Sequence, residues 1–260
     1  MPTLSKPYIQ VSEMTLKTPL GPVYQDVSFQ ANKGQVIALF GSEGSGKTAL
    51  LLTLCGRMKA GSGSAVVDGC DLKKDYKKIR RASNITLVDR VNDVPANTRV
   101  EDILSAELQV VGRSGRKAKV DEYLRNWKLD HLKGTKFCDL ECYEKKFFDI
   151  ALACAGDPAI LMVDDIQDGL TQHQSIRVMN HLKNLAYTRG MTILVGIGEY
   201  DIARYADGIV VLSASAERQR QAVLRERGEA MLCPVLGTGN GVQLGLATKK
   251  PVAGEGVNND

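Results

Sequence analysis

Apolar residues in this chain gather into short unbroken runs, each closed by glycine or by charge. QVIALF at 35–40 lies between Gly34 and Gly41, the pattern of a buried strand. ALLLTLCGRMKAG at 49–61 carries apolar residues on every face of its first turns, so it predicts a buried helix ending near Gly61. AILMV at 159–163 is a second buried-strand run, and it ends in adjacent carboxylates, Asp164 and Asp165. Two readings of that pair stand open: a strand exit where acids return the chain to solvent, or a metal ligand beside a water-positioning group. VEDILSAELQVV (100–111) and KVDEYLRNWKL (119–129) show helical periodicity, which predicts helices with Leu124 and Trp127 in a core.

The polar stretches add less. KKDYKKIRR (73–81) is the densest basic run, but Asp75, Tyr76 and Ile79 interrupt it, so it reads as the solvated face of a helix. GRSGRKAK (112–119) reads as a solvated loop between helices. Beyond Ser213, ASAERQRQAVLRERGEAMLC predicts a surface helix, and the Gly-rich remainder to residue 260 a flexible tail. A net charge of +4 over 260 residues is too mild and too dispersed to imply a nucleic-acid partner. The six cysteines form no CxxC pair. Cys138 and Cys142 lack a second pair at metal-ligand spacing, so all six read as reduced thiols of a cytosolic chain. MPTLSKPYIQ lacks the apolar core of a signal peptide, and no apolar run approaches the roughly 20 residues needed to span a bilayer.

The segment between the first strand and the first helix, GSEGSGKT at 41–48, decides the reading of the aspartates. Strand, GxxxxGK[ST], helix is a phosphate-binding loop in its required context. Gly41, Gly44 and Gly46 permit tight turns and close backbone approach, and the N–H groups of Ser42, Glu43, Ser45 and their neighbours can face an anion. Lys47 can reach β- and γ-phosphates, and the Thr48 hydroxyl can take one position on Mg²⁺. Asp164, at the end of a second buried strand, then fits the Mg²⁺-holding aspartate of such sites. No NKxD motif for reading guanine occurs.

From about residue 8 to residue 213 the chain resembles the ATP-binding cassette (ABC) ATPases. VYQDVSFQANKGQVIALFGSEGSGKTALLLTLCGRMKAGSGSAVVDGCDL (23–72) is similar to the family's nucleotide-binding core. IALACAGDPAILMVDD (150–165) is similar to its helix, Asp-Pro turn and Walker B strand, and TILVGIGEYDIARYADGIVVLS (192–213) to its switch strand, short helix and terminal strand. The resemblance implies an α/β fold: a RecA-like P-loop NTPase core whose parallel sheet is flanked by helices, the antiparallel strands of the ABC fold, and an inserted helical subdomain at roughly 90–150. The cassette would occupy 1–213 and a helix with a flexible tail 214–260.

Several working positions depart from the family. LECYE (140–144) stands at the signature LSGGQ, with Glu141, Cys142 and Tyr143 replacing serine and two glycines. Asp165 replaces the catalytic glutamate, so it is the candidate catalytic residue with a side chain one methylene short. Ile197 replaces the switch histidine, Arg90 the Q-loop glutamine, and Thr171 the D-loop aspartate; TPL at 18–20 offers no aromatic for adenine. ATP and Mg²⁺ binding in cis is thus expected, with hydrolysis slow or absent. In a homodimer both composite sites would lack signature, glutamate and histidine, and pairing with an intact cassette would leave both sites flawed. The implied role is the ATP-binding subunit of an ABC transporter, cytoplasmic and peripheral on the inner face of the cell membrane. Its implied partners are a membrane-spanning subunit and, as homo- or heterodimer, another ABC domain. The alternative is a non-catalytic regulatory or scaffolding protein that uses ATP as a structural ligand. A soluble ABC protein acting on nucleic acid is disfavoured by the single P-loop and the lack of sustained heptads.

Overall fold

The computed structural model describes residues 7–19, 21–112, 115 and 117–213. The chain opens with an antiparallel pair, β1 (Ile9–Thr18) and β2 (Gly21–Ala31), followed by β3 (Val36–Phe40) and α1 (Lys47–Leu54). Next come β4 (Ser62–Val67), the short β5 (Cys70–Asp71), α2 (Tyr76–Ala82) and β6 (Ser83–Ile85). The helices α3 (Val100–Val110), α4 (Lys117–Asn126) and α5 (Cys142–Ala153) lie between β6 and β7 (Ile160–Val163). The order closes with α6 (Gln172–Arg189), β8 (Thr192–Ile197), α7 (Tyr200–Ala203) and β9 (Gly208–Val211).

Among the described residues the strands form two sheets, in the orders β2-β1-β4-β5 and β6-β7-β8-β3-β9. The first is antiparallel and the second parallel throughout. A parallel sheet with helices beside it and a separate antiparallel sheet is the α/β architecture that the resemblance implies. Alternation along the parallel strands divides the core. Ile37 and Leu39 of β3 join Leu50, Leu51 and Leu54 of α1 and Val11 and Phe29 of the antiparallel sheet. Val36 and Ala38 face the other way, into a core with Phe148, Val178 and Leu182. These strands are buried on both faces, which is why they appear in sequence as continuous apolar runs.

One element ends sooner than its apolar content suggests. The helix expected to reach Gly61 stops at Leu54. Gly56 takes a φ of 70°, and the N–H groups of Arg57 and Met58 turn back to the Leu52 carbonyl. Glycine in the left-handed region just past the last turn is the usual helix stop. Similarly, the loop expected over 112–119 gives way to α4 at Lys117. The basic run 73–81 behaves as expected: Ile79 of α2 is buried, while Lys73, Lys74, Lys77, Lys78, Arg80 and Arg81 are exposed. Cys55 and Cys154 are buried free thiols, and Cys138 and Cys142 are exposed free thiols. The helix and tail expected beyond Ser213 lie outside the described residues.

A buried polar contact pins α1 to the antiparallel sheet. Tyr24 is fully buried and its hydroxyl donates to Thr53 Oγ1 at 3.0 Å. Thr53 Oγ1 in turn donates to the Ala49 carbonyl. Tyr24→Phe removes the first bond and leaves the second, so it is expected to cost about 1 kcal/mol. Thermal melting should register this as a Tm lower by about 2–4 °C.

Candidate nucleotide and metal site

β3 delivers the chain to Gly41, whose N–H donates to the Ile197 carbonyl at the end of β8 at 3.1 Å. The loop then turns on itself, with Ser45 N–H donating to the Ser42 carbonyl. Ser42, Glu43 and Gly44 form its exposed outer edge, and Ser45 is buried. Gly46 has a φ of 91°, and a Cβ there would lie 2.5 Å from the Val23 carbonyl oxygen of β2. Only glycine fits that approach, which sets the start of α1 against the antiparallel sheet. No side chain caps α1, so its first-turn N–H groups remain available to an anion. The Lys47 ammonium folds over its own loop, donating to the carbonyls of Gly41 (2.7 Å) and Ser42 (2.9 Å). Burial lowers its pKa, while Asp165, Asp164 and Glu43 pull it back up. The Ser45 hydroxyl finds no hydrogen-bond partner within the described protein.

Thr48, one residue into α1, meets the end of β7. Its Oγ1 donates to Asp164 Oδ2 at 2.7 Å, across 116 positions of sequence. Asp164 is oriented from behind, because its N–H donates to Oγ1 of buried Thr86 at 3.0 Å. Gly196 on β8 leaves room for the carboxylate, since a Cβ there would lie 2.9 Å from Asp164 Oδ1. Asp165 adopts a φ of 38°. Its carboxyl is pushed above the usual range mainly by burial, then by the neighbouring Asp168 charge, with Lys146 opposing. A hydroxyl facing a carboxylate is a hard oxygen set of the kind Mg²⁺ accepts when phosphate and water complete its shell. Among the described residues no group of three or more His, Cys, Asp or Glu side chains is placed to hold a metal. An ion here therefore depends on nucleotide oxygens, and the donors present fit that arrangement.

The departing positions have other employment. The Glu144 carboxylate accepts from the Glu141 N–H at the start of α5 at 3.2 Å, and His131 Nε2 lies 3.4 Å from it. The Tyr143 ring packs on Phe147 at 4.8 Å and beneath Arg177 at 5.5 Å. Cys142 lies beside Gly169, where a Cβ would come within 2.9 Å of its Sγ. Thr171 caps α6 by accepting from the Gln174 N–H. Ile197 is fully buried in the core. Arg90 sits on an exposed turn, its N–H donating to Asp93 Oδ2. Thr18 and Pro19 are exposed, and Leu20 lies outside the described residues.

Four residues at this site escape a reading by motif: Thr86, Lys146, Asp149 and Gln167. Gln167 Oε1 accepts from the Gly198 N–H at 2.9 Å, joining the loop after β7 to the end of β8. Lys146 Nζ donates to the Asp165 carbonyl at 2.9 Å. Asp149 is buried within α5, and its Oδ1 accepts from the Leu87 N–H at 2.7 Å. The visible signal for Asp149 is a lone carboxylate inside the apolar run FFDIALAC.

The sequence profile of the ABC transporter family matches residues 24–167, more than half of the chain and inclusive of 41–48 and Asp164. The chain belongs to that family. Its relatives include a methionine import ATP-binding protein of Mesorhizobium japonicum, 26% identical over 82% of this chain and 60% of that protein. A phosphonates import ATP-binding protein of Oceanobacillus iheyensis is 28% identical over 74% of this chain and 81% of its own. This ABC chain thus spans only about six-tenths of the methionine-import relative. Solved structures agree in fold. The cassette cbiO1 of Clostridium perfringens, part of the transporter complex cbiONQ, gives a TM-score of 0.67 at 21% identity, covering 86% of this chain and 96% of its own. A dimeric ATP-binding cassette with ADP and Pi gives 0.67 at 20% identity, covering 80% and 96%.

Asp149 makes the stability of this ABC chain depend on pH. Burial raises its carboxyl from 3.8 to about 7, opposed by the Leu87 N–H and by Lys146 and Lys145. The unfolded chain ionises this group near pH 4 and the folded chain only near pH 7. Its contribution is therefore fully present below about pH 4 and lost as pH rises to about 7. Asp149→Asn keeps an acceptor for Leu87 and removes the titration. It is expected to raise Tm at pH 8 by several degrees and to raise it less at pH 5.5, as melting curves at the two pH values will show.

Proposed function

We propose that this chain is the ATP-binding subunit of an ABC-type transporter. It would grip Mg-ATP through residues 41–48 and couple nucleotide state to a separate membrane-spanning subunit. The observation that carries this reading is the 2.7 Å contact between Thr48 and Asp164, made beside an uncapped helix start. In this reading the loop N–H groups from Ser42 to Thr48 receive the phosphate oxygens. Lys47 leaves the Gly41 and Ser42 carbonyls for the β- and γ-phosphates. Thr48 and Asp164 would hold Mg²⁺, which would supply positive charge to offset the phosphates. Thr86 and Gly196 keep the Asp164 carboxylate aimed at the ion. The names of the relatives, import ATP-binding proteins, support a role in import driven by ATP; a place on the cytoplasmic face of a membrane and a second cassette as partner are part of this proposal. No helix among the described residues is long and apolar enough to cross a membrane.

Hydrolysis is expected to be slow. Asp165 would place a water-orienting carboxylate about an ångström short, a displacement that can cost on the order of 10²-fold. Ile197 offers no hydrogen bond to a γ-phosphate. The start of α5, which in the family contacts the nucleotide of the opposite subunit, has its first N–H occupied by Glu144. That last contact favours a second reading, in which the chain is a regulatory or scaffolding protein and ATP a structural ligand.

Calorimetry and phosphate release on wild type, Lys47→Ala and Asp165→Glu separate the two. Wild type should bind Mg-ATP in the micromolar-to-millimolar range with turnover near background. Lys47→Ala should weaken binding at least about tenfold, the loss of a charge-assisted contact. Recovered turnover in Asp165→Glu favours the transporter subunit, and none in any variant, even with a membrane subunit present, favours the structural ligand. Brisk turnover in wild type would refute the assignment of slow hydrolysis.

A further inference from the structure

Helix α5 sends a charged side chain to the loop that follows β7. Lys146 Nζ donates to the Asp165 carbonyl at 2.9 Å, and the Asp168 N–H donates to the same oxygen at 3.2 Å. Asp165 holds a left-handed φ of 38°, a conformation that an L residue keeps only when its surroundings enforce it. The ammonium therefore fixes the peptide that aims the Asp165 side chain. Its charge also acts on the Asp165 carboxyl, whose neighbours Asp164 and Asp168 fall within the same five consecutive residues. Of the cations acting on the Asp165 carboxyl, Lys146 outweighs Lys47. Lys47 already bonds to Gly41 and Ser42, and on binding nucleotide it would be drawn to phosphate oxygens. Among the described residues that act on Asp165, Lys146 is then the cation left to offset these carboxylates when a triphosphate, itself strongly anionic, comes to rest beside them.

We propose that Lys146 is a positioning residue for the triphosphate: from the same chain it fixes the Asp165 peptide and offsets the Asp164, Asp165 and Asp168 carboxylates, so that a terminal phosphate can approach them. The inference rests on the Mg-ATP reading of residues 41–48 and adds to it a source of selectivity for ATP over ADP. A diphosphate ends farther from Asp165, so it gains little from the offset. The opposite start of α5 carries Glu141 and Glu144, so the helix contributes its positive charge at Lys145 and Lys146 and not at its terminus.

The test is titration calorimetry of the full chain with Mg-ATP and with Mg-ADP, at about 50 mM and about 500 mM salt, since the screening length falls from roughly 14 Å to roughly 4 Å between these ionic strengths. Lys146→Met should lose about tenfold in ATP affinity at low salt and little in ADP affinity, and the ATP loss should shrink at high salt. Lys146→Arg, which keeps charge and donor, should recover most of it. If Lys146→Met melts well below wild type, Lys146→Gln takes its place; it keeps an N–H donor without the charge, and should show the same selective loss. Equal losses for ATP and ADP, no loss, or failure of Lys146→Arg to recover affinity would each overturn the proposal. Wild type that binds neither nucleotide would instead remove the Mg-ATP reading, and this inference with it.

Discussion

The parallel alignment of β7, β8 and β3 is the constraint on which the site depends. Strands that run the same way end on the same edge, and in α/β sheets that edge is where ligands sit. β3 ends at Phe40 and β7 at Val163, with β8 between them in register. The chain leaving β3 can therefore turn through 41–46, start α1 and bring Thr48 to Asp164. The intervening strand contributes at both points: the Ile197 carbonyl receives the Gly41 N–H, and Gly196 leaves the space that the Asp164 carboxylate occupies. Larger side chains at 46 or 196 would separate the two halves before any question of chemistry arose.

The parts of this arrangement legible in sequence are those with a local cause. GSEGSGKT requires its glycines for backbone reasons, and a buried parallel strand must be apolar on both faces, so VIALF and ILMV announce themselves. The end of α1 was less legible. Apolar content continues past Leu54, and the periodicity of side chains does not register that Gly56 has crossed to positive φ. The contacts of Lys146 and Thr86 were not legible at all. Each joins elements distant in sequence through the backbone of the partner, and a backbone carbonyl or N–H leaves no mark on residue type. Asp149 is intermediate: a carboxylate inside an apolar helix signals a partner, but nothing local says that the partner is the Leu87 N–H.

Two helix starts in the same chain carry opposite provisions for an anion. α1 begins after glycine with no side-chain cap, and its first turn holds no acidic residue. α5 begins at Cys142 after its N-cap Glu141, has Glu144 in its first turn, and the Glu141 N–H donates to the Glu144 carboxylate. The helix macrodipole favours a negative group at the N-terminus of each of these helices, so both arrangements are stable. They differ in whose negative charge is accommodated: a ligand's at α1, the chain's own at α5. A phosphate arriving at α5 would have to displace a carboxylate already bound there and then sit beside it.

That contrast bears on the proposed separation of nucleotide binding from hydrolysis in this chain. The groups proposed to contact the triphosphate in cis, namely backbone N–H groups, Lys47, Thr48 and Asp164, lie together on one edge of the parallel sheet. Groups that act on the γ-phosphate need a finer placement, because phosphoryl transfer is accelerated by positioning and charge more than by covalent chemistry. At those places the chain substitutes side chains that serve its own fold. Thr171 caps α6, Ile197 fills the core, and Glu144 closes α5. Each substitution stabilises the cassette locally while removing a group that a γ-phosphate would need. Under the proposed function, the cassette would receive ATP with less of the apparatus that would cleave it.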